Sequence, residues 1–209
     1  MVELTRIYTR TGDAGQTRLS DMSLAAKSDL RVAAYGDVDE ANSAIGVALA
    51  AGGLSPEVVA VLGTIQNEMF DLGADLSNPL AADPPYEPLR VTQEYVDRLE
   101  QWCDGFGDPL PKLRSFILPG GTMAAAQLHL ARAITRRAER STWRAIELYG
   151  TEPAAGDRPG GVSLLAVRYL NRLSDLLFIL TRAVNGVEGE VLWTPGGSRT
   201  RPDAGAKPS

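Results

Sequence analysis

Long stretches of this chain repeat apolar residues at intervals of three and four, and each is bounded by proline, glycine or a capping hydroxyl. A packed set of amphipathic helices buries all of those stripes together. Val38, Ala41, Ile45 and Ala48 or Leu49 mark the first helix, Leu30 to Ala51. Ser55-Pro56-Glu57 reads as a cap with proline at the first helical position, opening a second helix to about Ser77. Val58, Leu62, Ile65, Met69 and Leu72 form its inward stripe. A shorter helix runs from Thr92 through Val96, Leu99 and Cys103 to Gly105. A long helix rich in alanine and arginine follows from Thr122 to about Tyr149, and a last one covers Val162 to Asn185.

The proline-rich stretch Pro79–Arg90 and the stretch Thr151–Gly161 read as loops. Only Thr5–Thr9 reads as a short strand. The expectation is an all-α fold, a five-helix up-down bundle in one domain over residues 1–195. Residues 1–28 form a loop region ahead of the bundle, and 196–209 a tail with little to bury, expected to be disordered.

Composition narrows the chemistry. A net charge of −5 argues against a nucleic-acid binder, and no run reaches the roughly 18–20 apolar residues of a membrane span. A start without a secretory signal and a single cysteine, Cys103, favour a reducing, cytoplasmic setting. One histidine and one cysteine leave no set of the usual zinc ligands, so no protein-held metal is expected.

Two constellations stand out. In the first, Thr9, Arg10, Thr11, Gly12, Asp13, Ala14, Gly15, Gln16, Thr17 and Arg18, two glycines three apart are threaded with hydroxyls. Such a loop turns backbone N–H groups toward an anion, although an ordinary turn has the same composition. In the second, Arg132, Arg136 and Arg140 share one helix ridge, with Arg137 and Glu139 among them. Leu130, Ile134 and Ala138 step two residues out of phase, which predicts a core stripe roughly opposite that ridge. The ridge is either a solvated face or a seat for a polyphosphate or a neighbouring subunit's carboxylates. Asp39, beside Asp37 and Glu40, is a candidate for such a carboxylate. Asn171 suits a ribose or base edge, or a bridge between helices. The apolar turn from Phe116 to Gly121 caps a ligand or packs on the core, and packing roles are expected for His129 and Cys103.

Taken together, five segments in order resemble the PduO-type ATP:cob(I)alamin adenosyltransferases. They are Tyr8–Thr17, Arg31–Asn42, Phe116–Gly121, Ala131–Arg140 and Tyr169–Asp175. Small departures are Ala14, where a lysine is common in the family, and Ala41, where a leucine is frequent.

The resemblance implies a homotrimer with active sites between subunits, ATP with Mg2+ and cobalamin as substrates, and transfer of the 5′-deoxyadenosyl group to cobalt. It implies that Thr9 to Arg18 and Lys27 hold the triphosphate, while Arg136, Arg137, Ala138, Glu139, Arg140 and Asn171 complete the nucleotide site. It implies that Arg132 pairs with Asp39 of the next subunit and that Phe116 presses on the corrinoid's lower face. Arg132, Arg136, Phe116 and Asp39 are thereby the expected catalytic set. A corrinoid reductase and an adenosylcobalamin-dependent mutase become expected partners. An ATP-gated carrier delivering adenosylcobalamin to a mutase fits the same motifs, as does, for the two constellations alone, a structural bundle with a solvated arginine face.

Overall fold

The structure, a computed structural model, describes Tyr8 and residues 10–196. Five helices dominate it: α1 Leu30–Ala50, α2 Pro56–Leu76, α3 Gln93–Gly107, α4 Met123–Tyr149 and α5 Leu164–Asn185. Each lies within about two residues of its predicted bounds, because caps and breakers mark the ends locally. Asp29, Ser55, Thr122 and Ser163 each accept a backbone N–H of the first turn, and Gly150 and Gly186 end α4 and α5 at positive φ.

Polar pairs between helices fix their directions. Asp29 with Tyr149 and Asp37 with Ser141 set α1 against α4, and Asn185 with Thr122 sets α5 against α4, both antiparallel. Glu68 with Arg98 and Asp71 with Tyr95 set α3 antiparallel to α2. Direction therefore alternates along the chain, and α3 runs parallel to α5, where Glu100 meets Arg172. The core lies inside this ring, built from α1 (Ala34, Val38, Ile45), α2 (Leu62, Ile65, Leu72), α3 (Leu99) and α5 (Leu170, Leu173, Leu177).

Two features differ from the sequence expectation. A two-stranded antiparallel hairpin, β1 Gln16–Arg18 and β2 Leu24–Ala26, follows the N-terminal loop. Its turn docks on the end of α2, where Ser20 N donates to Ser77 O at 3.0 Å and Tyr86 donates to Ser20 O. Three-residue strands carry too short a period to be seen in sequence. Thr9, most of the strand expected at Thr5–Thr9, and the tail after Gly196 lie outside the described residues.

The core stripe of α4 also differs. Leu128, Ala131, Thr135, Ala138, Thr142 and Ala145 are buried, whereas Leu130 is 52% exposed and Ile134 only half-buried. The spacing three-four-three-four is a heptad seam. Small residues there let α1 pack closely through Ala34, Ala41 and Ala48, and the two threonine hydroxyls donate to carbonyls one turn back. At about 100° per residue the arginine ridge lies roughly 130° from this seam, so it still faces away from the core.

Candidate active site

The N-terminal loop folds as two tight turns, with Asp13 N donating to Arg10 O and Gly15 N to Gly12 O. Gly15 takes φ +80°, and Arg10 takes φ +62°, a region seldom used by residues with a Cβ. Lys27 N donates to Gly15 O at 2.8 Å, and a Cβ placed on Gly12 would lie 3.0 Å from Lys27 Nζ. The hairpin therefore returns Lys27 to the loop twelve or more positions upstream, with its ammonium packed close over Gly12. Thr11, Asp13, Ala14, Gln16, Arg18 and Lys27 are exposed, with Gly12 and Thr17 half-buried. Arg18 shares an open groove of about 630 Å³ between α1 and α2 with Asp39, Asn42 and Phe70.

The basic residues of α4 divide by face. Arg137 points toward α1, where it is paired with Asp37 and Glu40. Those two acids hold the guanidinium above its ordinary value. Arg136 and Arg140 are exposed, and no carboxylate among the described residues pairs with either. Arg132 is half-buried over the Phe178 ring of α5 at 5.9 Å, and burial together with Arg136 lowers it. No carboxylate among the described residues pairs with Arg132 to offset that desolvation.

Asp39 is exposed on the α1–α2 side and has no hydrogen bond or ion pair among the described residues. Arg132 contacts α5, so these two do not meet in one chain. The Asn171 amide is engaged internally, donating to Glu139 Oε1 at 3.3 Å and accepting from Arg172 at 2.8 Å. Ala138 is fully buried in the α4 seam, so its side chain spaces the helices.

Phe116 lies at the opposite end of α4 from the hairpin, on the loop before Thr122. Its ring is 77% exposed and 6.1 Å from that of Trp193. The ridge from Arg132 to Arg140 covers about 12 Å along the helix between those two ends. Burial, and then nearby carboxylates, push the Cys103 thiol up to about 11, which disfavours its thiolate. A second cavity of about 650 Å³, between the hairpin, the Pro79–Arg90 loop and the 151–161 loop, holds none of the expected site residues. Sequence reading missed the hairpin that returns Lys27 to the loop, and the Asp37 and Glu40 pair that occupies Arg137. A basic residue beside two acids on another helix left no local trace.

The arrangement is a helical bundle with a turn-rich N-terminal loop, an arginine ridge with no carboxylate partner among the described residues, and a projecting aromatic. Residues 7–184 match the family described as Cobalamin adenosyltransferase. A corrinoid adenosyltransferase of Mycobacterium tuberculosis is 56% identical over 199 residues, 95% of this chain and 98% of the relative. One from Bacillus subtilis is 42% identical over 187 residues, 88% of this chain and 89% of the relative. A solved PduO-type ATP:corrinoid adenosyltransferase from Lactobacillus reuteri, a phenylalanine-to-histidine variant complexed with cobalamin and ATP, superposes with TM-score 0.77. It is 35% identical and covers 90% of this chain and 96% of its own. This chain belongs to the cobalamin adenosyltransferase family.

Proposed function

We infer that this protein transfers the 5′-deoxyadenosyl group of ATP to the cobalt of cob(I)alamin, giving adenosylcobalamin and triphosphate. The observation that carries this reading is the family match over residues 7–184, which contains the whole loop, the ridge and Phe116.

The electron pair of Co(I) forms the bond to C5′, and the C5′–O bond breaks with its pair leaving on triphosphate. Co(I) is itself the nucleophile, so no protein base is required. The protein aligns cobalt with C5′ and stabilises charge growing on the leaving group. Thr9 to Arg18 and Lys27 cradle the triphosphate, and Arg136 and Arg140, without carboxylate partners among the described residues, meet its charge. Arg137 and Glu139 hold the edge of the nucleotide site, and Asn171 orients the ribose or adenine end. Magnesium travels on the phosphates. Phe116 covers the corrinoid's lower face and keeps the lower ligand away from cobalt.

The functional unit is a homotrimer with each site between two chains, joined in part by Arg132 and the neighbour's Asp39. Support comes from the separation of those residues within one chain and from their lack of carboxylate or cationic partners among the described residues. The setting is cytoplasmic, with a reductase supplying Co(I) and a mutase receiving the product. No helix among the described residues is long and apolar enough to cross a membrane.

An optical titration of cob(I)alamin with ATP, with triphosphate release followed in a single turnover, tests the reading directly. Product and triphosphate should appear in equal amounts; binding without triphosphate release would leave only the carrier role. Arg136→Ala should lower the transfer rate by at least ~100-fold. Its circular dichroism and melting temperature should be unchanged, because Arg136 is exposed. Wild-type turnover would remove Arg136 from the site.

A further inference from the structure

The last turn of α5 fastens the Phe116 loop at both ends. At one end Arg182 donates from Nε to Glu190 Oε1 at 2.6 Å and from Nη2 to Pro111 O at 2.8 Å. The side chains of this pair are only 9% and 8% exposed. A pair so desolvated is a weak source of stability but a strong geometric constraint, since either partner alone would be an uncompensated buried charge. What it constrains is the start of the segment 190–193.

That segment is bonded in turn to the loop bearing Phe116. Val191 O accepts from Leu118 N at 2.8 Å, and Phe116 O accepts from Trp193 N at 2.7 Å. Ser115 Oγ donates to Trp193 O at 2.7 Å, and Ile117 bridges Leu192. At the other end Asn185 Oδ1 accepts from Thr122 N at 3.0 Å, and its Nδ2 donates to Gly120 O at 3.0 Å. Gly121 there has φ +97°, and a Cβ on it would collide with the Asn185 amide. Between these fastenings the Phe116 ring projects into the open.

We propose that Arg182 and Glu190 are positioning residues for the corrinoid step, holding segment 190–193 in the register that aims Phe116. This rests on the assignment of Phe116 to the corrinoid. Neither residue touches substrate; both act through the backbone bonds between the two segments.

Steady-state kinetics on the full chain, varying cob(I)alamin and ATP separately, test the proposal in Glu190→Gln, Arg182→Lys, Ser115→Ala and Phe116→Ala. Glu190→Gln should lower kcat/KM for cob(I)alamin roughly tenfold while the KM for ATP stays unchanged. Arg182→Lys, which keeps the charge, should retain more activity. Combined with Phe116→Ala, Glu190→Gln should add no further loss, because both act through one side chain. Losses that multiply, or a KM for ATP that rises equally, would overturn the proposal. If Glu190→Gln does not fold, Ser115→Ala removes a bond of the same pairing without stranding a charge and decides in its place. A wild-type Phe116→Ala would remove the corrinoid assignment itself. An impaired Phe116→Ala beside unaffected Glu190→Gln and Ser115→Ala would sink the positioning role alone.

Discussion

His129 lies one turn before Arg132 on α4, is 4% exposed, and has no partner for either ring nitrogen among the described residues. Burial, and then the Arg132 guanidinium, hold its imidazole below the ordinary value. The folded chain therefore keeps it neutral where the unfolded chain, titrating near pH 6.5, has begun to take up a proton. Its contribution to stability is present above the unfolded pKa and is lost as pH falls through that value toward the folded one. The melting temperature should thus fall more steeply between pH 7 and pH 5 in wild type than in His129→Gln. As the chain has one histidine, its ring protons report the titration without ambiguity, and a folded midpoint above 6.5 would contradict this account. At this scale the sequence was partly legible. It marked Phe116, Arg132 and Asp39 as candidates, but which arginine is already neutralised depends on Asp37 and Glu40 of α1, a hundred positions away.

Among elements, α3 shows how a short helix is held by polar ties. Arg98 donates to the buried Glu68 of α2 at 2.8 Å, and Tyr169 of α5 donates to the same carboxylate at 2.7 Å. Asp75, raised by its burial, takes a bond from Val91 N and pairs with Arg90 just ahead of α3. Arg98→Ala leaves Glu68 with Tyr169 alone, and should cost about 2–3 kcal/mol of stability, less than a fully buried pair because Arg98 is partly exposed. Chemical denaturation measures this, and ATP binding should be unaffected; an unchanged midpoint would deny the tie its role. Helix extents were readable because caps and breakers act within a few residues. The inward face of α4 was not, because in an alanine-rich helix hydropathy hardly separates one face from another. The close approach of α1 then selects the small residues, leaving Leu130 outside.

For the whole molecule, the groove bearing Asp39 and the ridge bearing Arg132 lie on different sides of one chain, an arrangement suited to pairing between copies. Asp39→Arg and Arg132→Asp should each weaken the proposed trimer at least ~10-fold, and the double exchange should restore part of the loss. Sedimentation velocity over a concentration series reads this; an unrescued double exchange, or trimers indifferent to either single change, would exclude the pair.

The sequence by itself determined the five helices and their ends, the glycine-bearing N-terminal loop and the arginine ridge, and the order of motifs that marks the family. Those depend on neighbours a few positions apart, where propensity, capping and period act. Tertiary structure decided the seam of α4, the hairpin that brings Lys27 back to its loop, and the division of the arginines into paired and unpaired. It also decided the fastening of the Phe116 loop by Arg182, Glu190 and Asn185. Each of these joins residues far apart in the chain, where only packing chooses the partner.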